Sequence, residues 1–235
     1  MDYMWLPPDP NTLKINVHCI TTAEPLPNGN SNSVGVIVRD PTGKEIWSAA
    51  GPMPGKSKLH ATLWGIYHGA LQCHQLEEWK THIETDHWGA FEAIRFQEEM
   101  PPQENVQEVL RLFNTLHSNN FKIGTTVREI TRIPIVQNGT AAYLARYGLD
   151  NMSLFAETPG SFGDKQFMLA RDMGLLFDAH PPANFGMGEI IDGDLLQVET
   201  NDLNNDSSNA DHEASAPLMW RLLSLPARMW KALVK

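Results

Sequence analysis

The chain is poor in cysteine, in basic residues and in long apolar runs. Cys19 and Cys73 are the only cysteines in 235 residues. They sit in no metal-ligand spacing and make no disulfide framework, so a reducing compartment, cytoplasm or nucleus, is expected. No stretch reaches the roughly 18 apolar residues of a membrane-spanning helix. The opening MDYMWLPPDP has neither a basic n-region nor an apolar h-region, so it does not read as a secretory signal. Lys and Arg number 18 against 28 Asp and Glu, a net charge of −10. The deficit runs the whole length: residues 1–150 hold 12 basic against 16 acidic side chains, and residues 151–235 hold 6 against 12. Such a balance argues against strong, general affinity for a polyanion.

What is present is a patterned α/β chain. Apolar residues make up 42% of the sequence, enough for one core with appendages. Leu13 to Ile20 alternates as a strand, Glu24 to Asn32 is a Pro/Gly/Asn loop, and Val34 to Asp40 is a second strand. Pro41-Thr-Gly-Lys44 is a turn signal, after which Glu45 to Ala49 returns as a third strand. Lys58 to Leu76 reads as a helix with Leu59, Leu63, Ile66, Tyr67, Ala70 and Leu71 on one stripe. A strand over 81–86, helices over 87–96 and 102–118, a strand over 121–133 and a helix over 138–147, with Asn138 as its N-cap, complete the pattern. Residues 163–176 have the composition of one more helix. The order predicts a mixed sheet of five strands, three antiparallel and then two parallel, with helices as the crossovers.

Four local strings carry a more specific likeness. They are Leu13-Lys-Ile-Asn-Val-His-Cys19, the hairpin Val34 to Gly43, Leu59-His-Ala-Thr-Leu-Trp64, and Ile83-Glu-Thr-Asp86. A fifth, Arg132-Ile-Pro-Ile-Val-Gln-Asn-Gly-Thr-Ala-Ala-Tyr-Leu-Ala145, matches without a gap at Pro134, Asn138, Ala141, Leu144 and Ala145. On these strings residues 5–149 resemble an RNase H type 1 domain, of the kind plants carry as reverse-transcriptase-like domains of retroelement descent. The resemblance implies an RNase H-like fold. It also implies a two-metal site for cutting the RNA strand of an RNA–DNA hybrid, in which clustered carboxylates hold Mg²⁺ or Mn²⁺. Three of the four carboxylate positions are occupied here by His18, Thr62 and Ala142, and only Asp86 retains its acid.

Hard Mg²⁺ is held by oxygen ligands, and one carboxylate, an imidazole, a hydroxyl and a methyl group do not make that site. The sequence therefore predicts a pseudoenzyme: an RNase H-like scaffold without hydrolysis, with no cofactor expected, kept as a nucleic-acid-binding or interaction module. The alternative is a ribonuclease working through a rearranged site. Glu84, two residues from Asp86 on the same strand face, offers a replacement carboxylate. His18, His60 and His87 offer nitrogen ligands for a softer metal.

Candidate contacts for RNA or a hybrid, weakly bound, are Lys56, Lys58, Trp64, Trp88 and Asn138, with Arg128 and Arg132 as further phosphate partners. The competing reading for the tryptophans is core packing, and for the scattered cations a solvated surface. Beyond residue 149 the sequence divides into an extension over 150–196, an acidic linker over 197–215 that reads as disordered, and a basic amphipathic segment over 216–235. In the last, Trp220, Arg221, Arg228, Trp230 and Lys231 frame an apolar stripe that suits a protein partner or an anionic surface, although Pro226 interrupts the helix.

Overall fold

The computed structural model describes residues 4–26, 29–53, 57–74, 76, 80–96, 104–118, 127–158 and 165–173. All of them fall in the first of two compact units, Met1–Ile191. The acidic linker, the basic C-terminal segment and Lys56 lie outside the described residues.

Three strands open the chain as an antiparallel meander: β1 (Thr12–Thr21), β2 (Asn32–Arg39) and β3 (Glu45–Pro52). Helix α1 (Lys58–His74) then crosses to β4 (Lys80–Thr85), which pairs parallel to β1. Helices α2 (Trp88–Arg95) and α3 (Glu104–Ser118) cross to β5 (Val127–Arg132), parallel to β4. A 3-10 turn over Ile135–Gln137 leads into α4 (Gly139–Asn151). The five expected strands are all present, and a sixth was not foreseen: β6 (Ala156–Glu157) pairs antiparallel with β3, giving the order β5-β4-β1-β2-β3-β6. Two residues are too short a run for any periodicity to show. The composition signal over 163–176 corresponds to α5 (Lys165–Asp172).

Central strands β1 and β2 are buried almost throughout, so each must satisfy a helix on both faces. Odd positions of β1 (Leu13, Ile15, Val17, Cys19) are apolar and face α1. The helix comes close because Gly65 presents no side chain; a methyl group there would lie 2.6 Å from Val34 Cγ1. Helix α3 closes this layer with Val106, Val109, Leu110 and Phe113, all buried. Even positions (Lys14, Asn16, His18) point to the other face, where Ala141 and Leu144 of α4 and Met168 and Leu169 of α5 pack on Ile37 of β2. There α4 sits on Gly35, where a methyl group would lie 2.2 Å from the Ala141 carbonyl oxygen. One face of the sheet is thus an ordinary apolar core. The other carries a polar stripe enclosed beneath helices.

Candidate functional site

The pleat of β1 and its parallel pairing with β4 bring His18 and Asp86 together at the C-terminal ends of these strands. His18 Nδ1 lies 2.9 Å from both carboxylate oxygens of Asp86, so that nitrogen carries the proton and donates to the carboxylate. The His18 side chain is fully enclosed, whereas Asp86 keeps 13% exposure. His18 Nε2 has no hydrogen-bond partner among the described residues. Asn138 stands at the N-terminus of α4, as its sequence position predicts, but its side chain does not cap the helix. Its amide donates instead to Asp86 Oδ1 at 2.7 Å and to the Val17 carbonyl at 2.9 Å. Burial works to raise the Asp86 pKa. The His18 imidazole, by charge and hydrogen bond, then Asn138 and the charge of Lys58, outweigh it and lower the value from 3.8 to about 2.

Thr62 and Ala142 are both completely buried. The Thr62 hydroxyl turns back to donate to the Lys58 carbonyl at 2.8 Å, a local bond that Thr commonly makes within a helix. The substitute carboxylate also proves engaged. Glu84 Oε1 accepts from Lys14 Nζ at 2.7 Å and Oε2 from the Asn16 amide at 2.8 Å, so both oxygens face protein donors. The histidines do not converge: His87 caps α2 by accepting from the Ala90 N–H, and His60 accepts from Trp64 Nε1 at 3.0 Å. Among the described residues no group of three or more His, Cys, Asp or Glu side chains is placed to hold a metal ion. Mg²⁺ takes six oxygen ligands at about 2.1 Å. Here Asp86 already accepts from an imidazole and an amide, and the residues around it do not fit that ion.

Of the proposed nucleic-acid contacts, Trp88 is exposed, at 44%, and the Arg132 guanidinium lies 5.1 Å from its ring centroid. Phe91 packs beside it, and Phe96 is 43% exposed. Trp88 opens α2 two residues after Asp86, so this aromatic and cationic patch borders the site. Lys58 begins α1 close enough to act on Asp86 electrostatically. Trp64 is half-buried and packs edge-on to Tyr67, with ring centroids 5.5 Å apart. Asn138 is fully buried and serves Asp86.

Sequence reasoning missed a second polar cluster on the same face. Arg39 is wholly buried with its guanidinium 3.6 Å from the Trp5 ring centroid, where it donates to Asn16 at 2.9 Å and to Asp172 at 3.1 Å. Asp172, from α5, also accepts from the Thr140 N–H at 3.2 Å and the Thr140 hydroxyl at 2.7 Å. It therefore caps the N-terminus of α4, the task its own Asn138 has given up. Burial pushes the Asp172 carboxyl up and the Arg39 guanidinium down; their ion pair pulls both back toward the charged forms, and the Thr140 hydrogen bonds do so for Asp172. The available signal was Arg39 itself, a cation ending an otherwise apolar strand, which demands a buried partner.

This mixed sheet with its crossover helices is an RNase H-like fold. The sequence profile described as reverse transcriptase-like matches residues 27–146, half of the chain, and the protein belongs to that family. Its architecture is similar to an RNase H1 isolated from compost by a metagenomic approach, with a TM-score of 0.50 at 12% identity over 60% of this chain and 96% of that one. The N-terminal RNase H domain of a Mycobacterium tuberculosis protein gives 0.49 at 14% identity over 60% and 96%, and RNase H1 of Halobacterium salinarum 0.49 at 12% over 60% and 98%. No curated protein matches the chain in sequence. Among the described residues no helix is long and apolar enough to cross a membrane.

Proposed function

We propose that this protein is a nucleic-acid-binding or interaction module that has kept the RNase H-like scaffold and given up hydrolysis. The observation that carries the reading is the state of Asp86: both its oxygens accept from His18 and one also from Asn138, while Thr62 and Ala142 bring no carboxylate. An in-line attack on a phosphodiester would have no pair of ions to clamp the attacking and leaving oxygens. Binding by such a module uses what borders the site: the exposed Trp88 for stacking, and Arg132 and Lys58 for phosphate. With a net charge of −10 the affinity is expected to be modest and strongly salt-dependent. The segment over 216–235 adds a second contact, for a protein partner or an anionic surface. A cytoplasmic or nuclear location accords with the two reduced, buried cysteines.

The test is a labelled RNA–DNA hybrid incubated with pure protein in Mg²⁺ or Mn²⁺ against EDTA, beside an Asp86→Asn control. Binding that persists in EDTA without cleavage is the expected result. Family membership favours the other reading, a ribonuclease for RNA–DNA hybrids with a rearranged site. Metal-dependent cleavage that Asp86→Asn abolishes would establish it.

A further inference from the structure

We propose that His18 fills at Asp86 the place a metal ion would take, so that restoring carboxylates at positions 62 and 142 cannot recreate metal binding while His18 remains. The inference deepens the non-hydrolytic reading above and rests on it. Three observations carry it. The first is the contact itself: Nδ1 sits 2.9 Å from each Asp86 oxygen, facing both at once as a bridging cation would. The second is rigidity. Asn138 ties Oδ1 to the Val17 carbonyl on β1, so the carboxylate is held from two sides and cannot swing to new ligands without breaking both.

The third is enclosure. His18 pairs with Gly35 across β1 and β2, and α4 rests directly on Gly35 with its backbone. An imidazole with a fully enclosed side chain in that position has no free rotamer into which to retire when an ion arrives. The losses at 62 and 142 remove ligands. The change at 18 does something different: it supplies the remaining carboxylate with an internal substitute for the ion. A merely space-filling His18 would leave Asp86 available, and carboxylates restored elsewhere would then suffice.

The experiment uses full-length protein and Mn²⁺ as the probe, followed by the electron paramagnetic resonance signal of the free ion. Wild type and the Thr62→Glu/Ala142→Asp double variant are expected to leave that signal unchanged. Adding His18→Asp is expected to produce saturable binding where the other two proteins show none. Saturable Mn²⁺ binding to either protein that retains His18 overturns the proposal, as does a folded triple variant that binds no better than the double. If the triple variant does not fold, wild type decides. The His18 Nδ1–H resonance is expected to stay unbroadened as Mn²⁺ is added, and its selective loss overturns the proposal. Cleavage of a hybrid with an unperturbed His18 resonance would instead defeat the non-hydrolytic reading alone.

Discussion

Two polar clusters share one face of the sheet, and they differ in how much charge they hold. His18, Asp86 and Asn138 form one, with a single carboxylate among them. A few residues along the same strands, Lys14, Glu84, Arg39 and Asp172 make a denser and more deeply enclosed set of charges, the first three inside the matched strings and Asp172 beyond them. Density of buried charge is therefore a poor guide to a reactive site. A metal centre needs carboxylates that the protein itself leaves uncompensated. Here Glu84, Asp86 and Asp172 each accept from a protein donor.

The two clusters should part company when broken. Arg39→Ala leaves Asp172 buried without its cation and should cost about 3–5 kcal/mol in denaturant unfolding. Combining Arg39→Met with Asp172→Leu should return much of that, because the loss comes from an orphaned charge. A double variant as unstable as the single would mean the network does more than neutralise itself. His18→Leu removes a donor to a partly exposed carboxylate, and about 2 kcal/mol is expected. An effect as large as that at Arg39 would erase the distinction between the clusters.

Acid should separate them by sign. Asp86 has a lowered pKa, so its contribution is complete above 3.8 and is lost as pH falls through about 2. The gap is worth about 2 kcal/mol. Asp172 has a raised pKa, so its contribution is complete below 3.8 and is lost as pH rises through its folded value. In unfolding followed from pH 6 to about 2, Asp86→Asn should flatten the acid loss and Asp172→Asn should steepen it. Both are best compared in a His68→Phe background, because burial lowers the His68 pKa from 6.5 to about 4 and that group also takes up its proton in this range. The smallest effect on stability is expected outside both clusters. Trp88→Ala should change unfolding by no more than about 0.5 kcal/mol, while weakening nucleic-acid binding by about 1–3 kcal/mol if the patch stacks bases.

Much of this arrangement is legible in the sequence. Alternation in β1 and the stripe on α1 report burial directly, and two of the matched strings carry His18 and Asp86, which the structure brings into contact. What periodicity does not encode is the partner of a side chain. Asn138 reads as an N-cap because Asn before a helix usually is one, yet the nearby carboxylate is a stronger acceptor for its amide. Glu84 reads as a spare ligand because it shares a face with Asp86, but the same pleat places Asn16 directly opposite it and Lys14 within reach. Asp172 lies where no string matches, and its role depends on a contact 133 residues away in sequence.

That last contact has a consequence for the order in which the molecule can be made. Synthesis delivers the chain from its N-terminus, and the profile shared with the family is complete once residue 146 has been added. At that moment Arg39 faces Trp5 and Asn16 without its carboxylate, and the first turn of α4 has no cap. Both wait for residue 172. The Arg39–Asp172 pair and the cap of α4 therefore cannot form until a stretch that the family profile does not include has been made.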